Sequence, residues 1–151
     1  MNPPKIGLMT FGDARDHEWA KLFQGLAEPR HQKAVTYFKQ QEVELVCFDS
    51  VARKFDEIDG QAGELIKAGV EVLVAHVPCW VSPNMVLRGI QKIHLPTILL
   101  SNKEPGTHGS VGLFGAGGAL DQIGYAHFRV REDFEGSDPQ AVAKKCLPFI
   151  R

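Results

Sequence analysis

The sequence has few cysteines, no dominant charge and no long apolar run. Its three cysteines, Cys47, Cys79 and Cys146, are far apart, which argues against a disulfide framework or a zinc ribbon and favours a reducing compartment. Lysine and arginine total 17 against 18 aspartates and glutamates, so the net charge of -1 gives no electrostatic attraction to nucleic acid or anionic membranes. The apolar runs are too short to span a bilayer, and no secretion signal is visible. We therefore expect a cytoplasmic protein without nucleic-acid or membrane partners.

Common cofactor and metal motifs are also missing. No GxxxxGK[ST] phosphate-binding motif is present, and the glycine-rich segment 115–118 does not fit the dinucleotide pattern because Leu120 stands where the third glycine belongs. We interpret these small residues as allowing a helix to pack closely on the sheet or on a neighbouring subunit. The histidines show no HxH, HxxxH or HExxH spacing, so spacing predicts no metal site. The nearest cluster, His17 with its acidic neighbours, is interpreted as a solvated helix start.

Short apolar strands alternate with amphipathic helices along the chain. The predicted strands are 5–9, 43–48, 70–75, 96–100 and 126–130. Such alternation predicts right-handed βαβ units and a parallel sheet. Five strands with five helices predict an α/β, flavodoxin-like three-layer sandwich, with a five-stranded parallel sheet of order 2-1-3-4-5, as a single domain over residues 1–151. The segment 101–112 is rich in turn-forming residues and is predicted to be a loop outside the sheet.

The helical spacing predicts which side chains turn inward. They are Trp19, Leu22, Phe23, Leu26, Ala34, Val35, Phe38, Ile58, Ala62, Leu65, Ile66, Val86, Leu87, Ile90, Val142, Ala143 and Cys146. Pro29 is expected to break or restart the first helix, Gly69 to end the second, and Ser82 to cap the third. The fourth helix is predicted over 113–124, and a last helix begins at Asp138.

Two ligand classes known from this kind of sheet are disfavoured. A flavin phosphate site after the first strand would have one hydroxyl, that of Thr10, and two carboxylates, Asp13 and Asp16, that repel the anion. A phospho-acceptor domain needs an aspartate at the end of the third strand, but that strand ends in His76-Val77-Pro78.

The central stretch is 70–84, VEVLVAHVPCWVSPN. Ligands of open α/β sheets bind just outside the carboxyl ends of the strands, which is where Trp80 falls. Trp80 is expected to cap the core, to face a ligand, or to do both, because the two roles are not exclusive for an indole at a sheet edge. Arg15 follows the first strand, which neighbours the third strand in such a sheet, and an arginine fork with an indole face suits a polyol. An equal alternative is that Arg15 pairs at the surface with Asp13 or Asp16.

Several segments together resemble the amino-terminal region of the L-fucose isomerase and D-arabinose isomerase family. The matching segments are KIG at 5–7, Asp13-Ala14-Arg15, Val77-Pro78-Cys79-Trp80, Asn102-Lys103-Glu104-Pro105-Gly106 and the helix GLFGAGGALDQIG at 112–124. The Pro-Cys-Trp corner together with the Glu-Pro-Gly loop and its helix is the most specific part of the resemblance.

The resemblance implies the substrate-contacting, N-terminal domain of a longer, metal-dependent aldose–ketose isomerase, an intramolecular oxidoreductase of carbohydrate metabolism. It implies a sugar and the remaining isomerase domains as partners, a homo-oligomer, and manganese bound by later domains. This chain would then hold no metal ligand and no catalytic residue, and it would be inactive alone. By motif position Arg15 and Trp80 contact the sugar. The other candidate substrate-binding residues in the matching segments are Asp13, Cys79, Asn102 and Glu104.

A second hypothesis is a free-standing, non-catalytic small-ligand binding or assembly module. The chain ends at Phe149-Ile150-Arg151 without a helix stop, so we expect it to be a domain of a longer protein. The loop around Arg15 is shorter and more acidic than in fucose isomerases, and the sequence therefore does not assign the sugar.

Overall fold

The structure, a computed structural model, describes residues 2–150 and contains a five-stranded parallel sheet. The strands are β1 (Lys5–Thr10), β2 (Glu44–Val46), β3 (Val72–His76), β4 (Thr97–Asn102) and β5 (Phe128–Glu132). Their order is β2-β1-β3-β4-β5, and every neighbouring pair is parallel. The predicted flavodoxin-like order is confirmed. The last three strands begin one or two residues later than their apolar patterns suggested.

Helices cover both faces of the sheet. They are α1 (Asp16–Glu18), a π-helical turn (Trp19–Phe23), α2 (Gln24–Lys39), α3 (Phe55–Ala68), α4 (Pro83–Ile93), a 3-10 turn (Pro105–Thr107), α5 (Gly109–Gln122), α6 (Ala141–Lys144) and α7 (Leu147–Ile150). Helices α2, α6 and α7 form one hydrophobic cluster with the sheet, and α3, α4 and α5 form another on the opposite face. Within residues 2–150, no helix is both long and apolar enough to cross a bilayer.

Alternating side chains of the central strands enter the two cores. In β1, Ile6 and Leu8 join the cluster beneath α2, whereas Met9 joins the cluster beneath α3 and α4. Burial on both faces explains why the central strands are almost uninterrupted apolar runs. The β1–β3 register pairs Thr10 with His76 at the carboxyl end, and both side chains are buried. Polar residues at this edge are therefore enclosed by the fold.

The first helical region differs from its predicted inward face. Trp19 and Phe23 are buried as expected, but Leu22 is 55% exposed and Leu26 is 45% exposed, so those two predictions were wrong. Trp19–Phe23 forms a π-helical turn. Because a π turn has i→i+5 hydrogen bonds, it is wider than an α turn and changes the angular position of the residues that follow. The 3.6-residue spacing used in the prediction does not hold across it.

Pro29 does not break the helix as predicted. Helix α2 runs without interruption through Pro29 to Lys39. A proline removes one N–H bond to the preceding turn, but tertiary packing on both sides can keep the helix intact. Here Ala27 and Ala34, on either side of the proline, are both fully buried. The packing of α2 on the sheet therefore outweighs the local helix-breaking preference.

The other helix boundaries are partly as predicted. Gly69 ends α3 in the left-handed conformation with φ of 72°, as expected. Ile66 is 48% exposed rather than inward, because it lies one position beyond the buried stripe of Ile58, Ala62 and Leu65. Ser82 occupies the N-cap position of α4, but its hydroxyl bonds to the Asn84 side chain instead of a backbone amide.

The segment predicted as a loop outside the sheet is partly structured. Ser101 and Asn102 belong to β4 and are fully buried, and α5 begins at Gly109, four residues before its predicted start at 113. The single predicted C-terminal helix is instead the two short helices α6 and α7. Its three predicted inward residues, Val142, Ala143 and Cys146, are fully buried, as expected.

Candidate functional site

Arg15 and Trp80 meet at the carboxyl edge of the sheet. The Arg15 guanidinium lies 4.6 Å from the centroid of the Trp80 ring. Its Nε and Nη2 donate to the two carboxylate oxygens of Asp13 at 3.1 and 2.7 Å, and the Arg15 backbone N–H donates to Asp13 Oδ1 at 3.0 Å. Arg15 therefore both pairs with an aspartate and stacks on the indole. Of the two aspartates considered as partners of Arg15, the structure shows Asp13, and it also places Arg15 against Trp80.

The two members of the ion pair differ in their exposure to solvent. The Asp13 side chain is fully buried, whereas 53% of the Arg15 side chain is exposed. The hydrogen bonds that Arg15 donates to Asp13 raise the pKa of Arg15, so the guanidinium keeps its charge at any physiological pH. A fixed cation beside an indole is thus held at the surface by a carboxylate beneath it.

The loop that carries Arg15 is clamped by the segment before α3. Arg53 Nε donates to the Asp13 carbonyl at 3.0 Å, and Lys54 Nζ donates to the Ala14 carbonyl at 2.5 Å. Arg53 and Lys54 also each lie 2.8 Å from Asp16 Oδ1. Their hydrogen bonds, that of Lys54 first, hold the pKa of Asp16 below its usual value. Asp16 therefore belongs to the clamp and is not the partner of Arg15.

The corner that carries Trp80 is held from β4 and the loop after it. The Trp80 backbone N–H donates to the Thr107 carbonyl at 2.8 Å, and the Thr107 hydroxyl donates to the Pro78 carbonyl at 2.7 Å. Ser101 Oγ donates to the Val77 carbonyl at 2.6 Å. Trp80 is half-buried against the hydrophobic cluster beneath α4 and half-open to solvent. It caps the core and presents an indole surface at the same time.

The other candidate substrate-binding residues lie deeper or on their own loop. Cys79 is fully buried, and desolvation raises the pKa of its thiol to about 12, so the sulfur is protonated at neutral pH. Asn102 is fully buried and donates from Nδ2 to the Glu104 carbonyl at 2.7 Å. The Glu104 carboxylate accepts from Arg30 Nη2 at 2.8 Å and from the Gly106 N–H. Burial alone would raise the pKa of Glu104, but these two hydrogen bonds lower it. Substrate contact by these three residues stays a prediction.

Arg30 is a buried residue of this edge that the sequence did not indicate. It is 2% exposed, and its Nε, Nη1 and Nη2 donate to Glu135 at 3.2 Å, Thr107 at 2.9 Å and Glu104 at 2.8 Å. A charged residue inside a helix normally indicates a solvent-facing position, and these three partners lie 74 to 105 residues further along the chain. Nothing local in the sequence could therefore have identified it.

A chain of buried hydrogen bonds links α2 to β1 and β3. His31 Nε2 lies 2.7 Å from the Phe48 carbonyl and must donate to it, which leaves Nδ1 of the neutral ring to accept from the Thr10 hydroxyl at 2.7 Å. The Thr10 oxygen then accepts from His76 Nδ1 at 3.1 Å. The His76 ring stacks on Phe134 with centroids 5.2 Å apart. Desolvation lowers the pKa of both histidines, that of His76 strongly.

Whether the described residues could themselves hold a metal ion is a separate question, since the resemblance places the manganese in later domains. Among residues 2–150, no three His, Cys, Asp or Glu side chains are grouped so that they could hold a metal ion. Buried carboxylates at the edge are already engaged, since Asp13 bonds to Arg15. The residues that the structure describes therefore supply no ligand set for manganese.

The fold and this edge define a flavodoxin-like α/β domain that presents an arginine–tryptophan pair where ligands of such sheets bind. The family described as L-fucose isomerase, first N-terminal domain, matches residues 3–151. The chain therefore belongs to that family, and the resemblance stated from its motifs is confirmed. No curated protein matches the chain. Membership of the family is consistent with a part of a sugar isomerase.

Proposed function

We propose that this chain is the substrate-contacting N-terminal domain of a metal-dependent aldose–ketose isomerase that acts on a fucose- or arabinose-like sugar. The stack of Arg15 on Trp80 at the carboxyl edge of the sheet carries the proposal. Two of the five N–H donors of the guanidinium bond to Asp13, which leaves three for sugar hydroxyls. The half-open indole offers an apolar surface to the C–H face of a sugar ring.

The proposal divides binding and chemistry between this domain and the rest of the parent protein. This domain binds and orients the sugar, while manganese and the groups that move the proton between the aldose and ketose forms belong to the remaining domains. In those domains the metal would act as a Lewis acid on the substrate oxygens. The parent protein is proposed to be a cytoplasmic homo-oligomer. Family membership and the Arg15–Trp80 geometry support this arrangement.

The test is Trp80→Ala in the full-length parent protein. Loss of the indole surface should raise KM for the sugar about tenfold or more, with the bound metal per subunit unchanged. Phe128→Ala is the matched control, because Phe128 is also a half-exposed aromatic, stacked on Phe149, at the opposite edge of the sheet. Loss of metal in Trp80→Ala would show that its role is misassigned. An unchanged KM would reject sugar contact and favour the binding or assembly module.

A further inference from the structure

Thr107 holds the Trp80 corner on both sides of Cys79. Its backbone carbonyl accepts from the Trp80 N–H at 2.8 Å, and its hydroxyl donates to the Pro78 carbonyl at 2.7 Å. Thr107 is fully buried, so neither bond competes with bulk water. One residue outside the corner, through its backbone carbonyl and its hydroxyl, thereby holds the backbone that carries the indole.

Arg30 sets the direction of the Thr107 hydroxyl. A guanidinium can only donate, so the bond from Arg30 Nη1 to Thr107 Oγ1, at 2.9 Å, occupies an acceptor position of that oxygen and leaves its hydrogen for Pro78. Arg30 is itself fixed by the partly exposed carboxylates of Glu104 and Glu135. These contacts connect α2 and the loop after β5 to the tryptophan corner.

We propose that Thr107 and Arg30 are positioning residues that hold Trp80 in its sugar-contacting place, an inference that rests on the proposed function. Neither residue is assigned a contact with substrate. Their effect is transmitted by the backbone at Pro78 and Trp80, whereas Arg15 is held through Asp13 and Arg53. The two halves of the pair are therefore held mainly by different residues, with the bond between Cys79 and the Asp13 backbone joining them.

The first test is tryptophan fluorescence of the chain with acrylamide as quencher. Trp19 is 4% exposed and Trp80 is half-open, so quenching reports mainly on Trp80. Thr107→Val removes both hydroxyl bonds at nearly constant volume and should increase the quenching constant. Thr107→Ser keeps the hydroxyl and should restore the wild-type value. Thr97→Val is the matched control, since Thr97 is also buried and donates one hydroxyl bond, to the Leu95 carbonyl at 2.8 Å, at the other end of β4.

The second test is steady-state kinetics of the parent enzyme. Thr107→Val should raise KM for the sugar several-fold, up to about tenfold, with kcat within about twofold, and Thr97→Val should change neither. Arg30→Lys is a further variant, because it keeps the charge but loses the guanidinium fork, and it should act in the same direction as Thr107→Val.

The outcomes distinguish a failure of the positioning role of Thr107 from a failure of the proposed sugar contact by Trp80. If acrylamide quenches the fluorescence of Thr107→Val no more than that of Thr97→Val, the positioning role is wrong, even if Trp80→Ala raises KM. If Thr107→Val increases quenching while Trp80→Ala leaves KM unchanged, the corner is held as described but the proposed sugar contact is wrong. Failure of Thr107→Ser to restore wild-type quenching would assign the effect to packing of the methyl group and would also overturn the proposal.

Discussion

His31 and His76 link the stability of the fold to pH. Both are buried in a hydrogen-bonded chain that fits neutral rings, and Arg30, like His31 when it is protonated, disfavours a charge on His76. The unfolded chain binds a proton on each ring near pH 6.5, whereas the folded pKa values are lower. As pH falls below 6.5, the unfolded state takes up more protons, so the free energy of unfolding should fall by up to about 1.4 kcal/mol per pH unit for each histidine.

The measurement is urea denaturation of the chain between pH 7.5 and 5.0. His76→Asn keeps a donor toward Thr10 without a titrating ring, and it should reduce the slope of stability against pH. His17→Gln, a histidine substitution at the exposed start of α1 and outside the buried hydrogen-bonded chain, is the control. Asp16 and Glu104 also have lowered pKa values, but the stability that they contribute to the fold is lost only as pH falls below their ordinary pKa values of 3.8 and 4.5. A slope in His76→Asn equal to that of the wild type would contradict the prediction.

At the level of single residues, the sequence indicated the exposed half of the edge better than its buried half. Arg15 and Trp80 were paired through strand order and motif position, and they do make contact. Arg30, Thr107 and His31 were not identified, because each is polar and each acquires its role from distant partners across the sheet edge. Periodicity reports burial of apolar side chains and carries no signal for a buried polar one.

Helix α5 approaches the tryptophan corner through a glycine outside the cluster 115–118. A Cβ added at Gly112 would lie 2.8 Å from the Cys79 carbonyl oxygen and 3.2 Å from the Val81 nitrogen, both backbone atoms that cannot rotate away. Within the cluster, a Cβ at Gly115 would meet Pro83 at 3.3 Å, and one at Gly118 would meet nothing within 4 Å. The helix is therefore closely packed at Gly112 and Gly115 but not at Gly118.

These contacts predict opposite effects of the same substitution. Gly112→Ala should lower the free energy of unfolding by about 1–3 kcal/mol, because α5 or the corner must move. Gly118→Ala should raise it by about 0.5–1 kcal/mol, because alanine has the higher helix propensity and the site is open. Thermal or urea unfolding of the two variants measures both effects. Stabilisation by Gly112→Ala, or a loss of stability in Gly118→Ala, would show that α5 packs differently.

At the level of elements, apolar patterns predicted the five strands and their order but not every boundary. The π turn at Trp19–Phe23 and the uninterrupted course of α2 through Pro29 depend on tertiary packing rather than on local preference. Asn102 was assigned to a loop because the sequence around it is rich in turn-forming residues, yet it ends β4, paired with Glu132 of β5. Strand ends are set by such pairings, which a single segment does not encode.

For the whole molecule, the proposed function makes this edge one side of a binding site. The Arg15–Trp80 pair opens to solvent at the carboxyl edge, and residues 2–150 contain no cluster of ligands for a metal. An aldose–ketose conversion requires a group that moves a proton between neighbouring carbons and stabilisation of the charge that develops on oxygen. If the proposed function is correct, both come from other domains, and sugar binding and catalysis can be separated by experiment.

The chain alone, supplied with Mn²⁺ and an aldose such as L-fucose in D₂O, should therefore neither form ketose nor incorporate deuterium next to the carbonyl. Sugar at high concentration should nevertheless shift the indole N–H resonance of Trp80, because the isolated domain keeps the Arg15–Trp80 surface but lacks the contacts that would make binding tight. Proton NMR measures ketose formation and deuterium incorporation, and nitrogen-correlated spectra measure the indole shift, with Arg15→Gln as the variant in which the shift should weaken.

Deuterium incorporation that requires the protein would place proton-transfer groups in this chain and refute the division of labour. If sugar shifts the Trp19 resonance instead, binding occurs elsewhere on the domain, since Trp19 is buried in the core beneath Arg53.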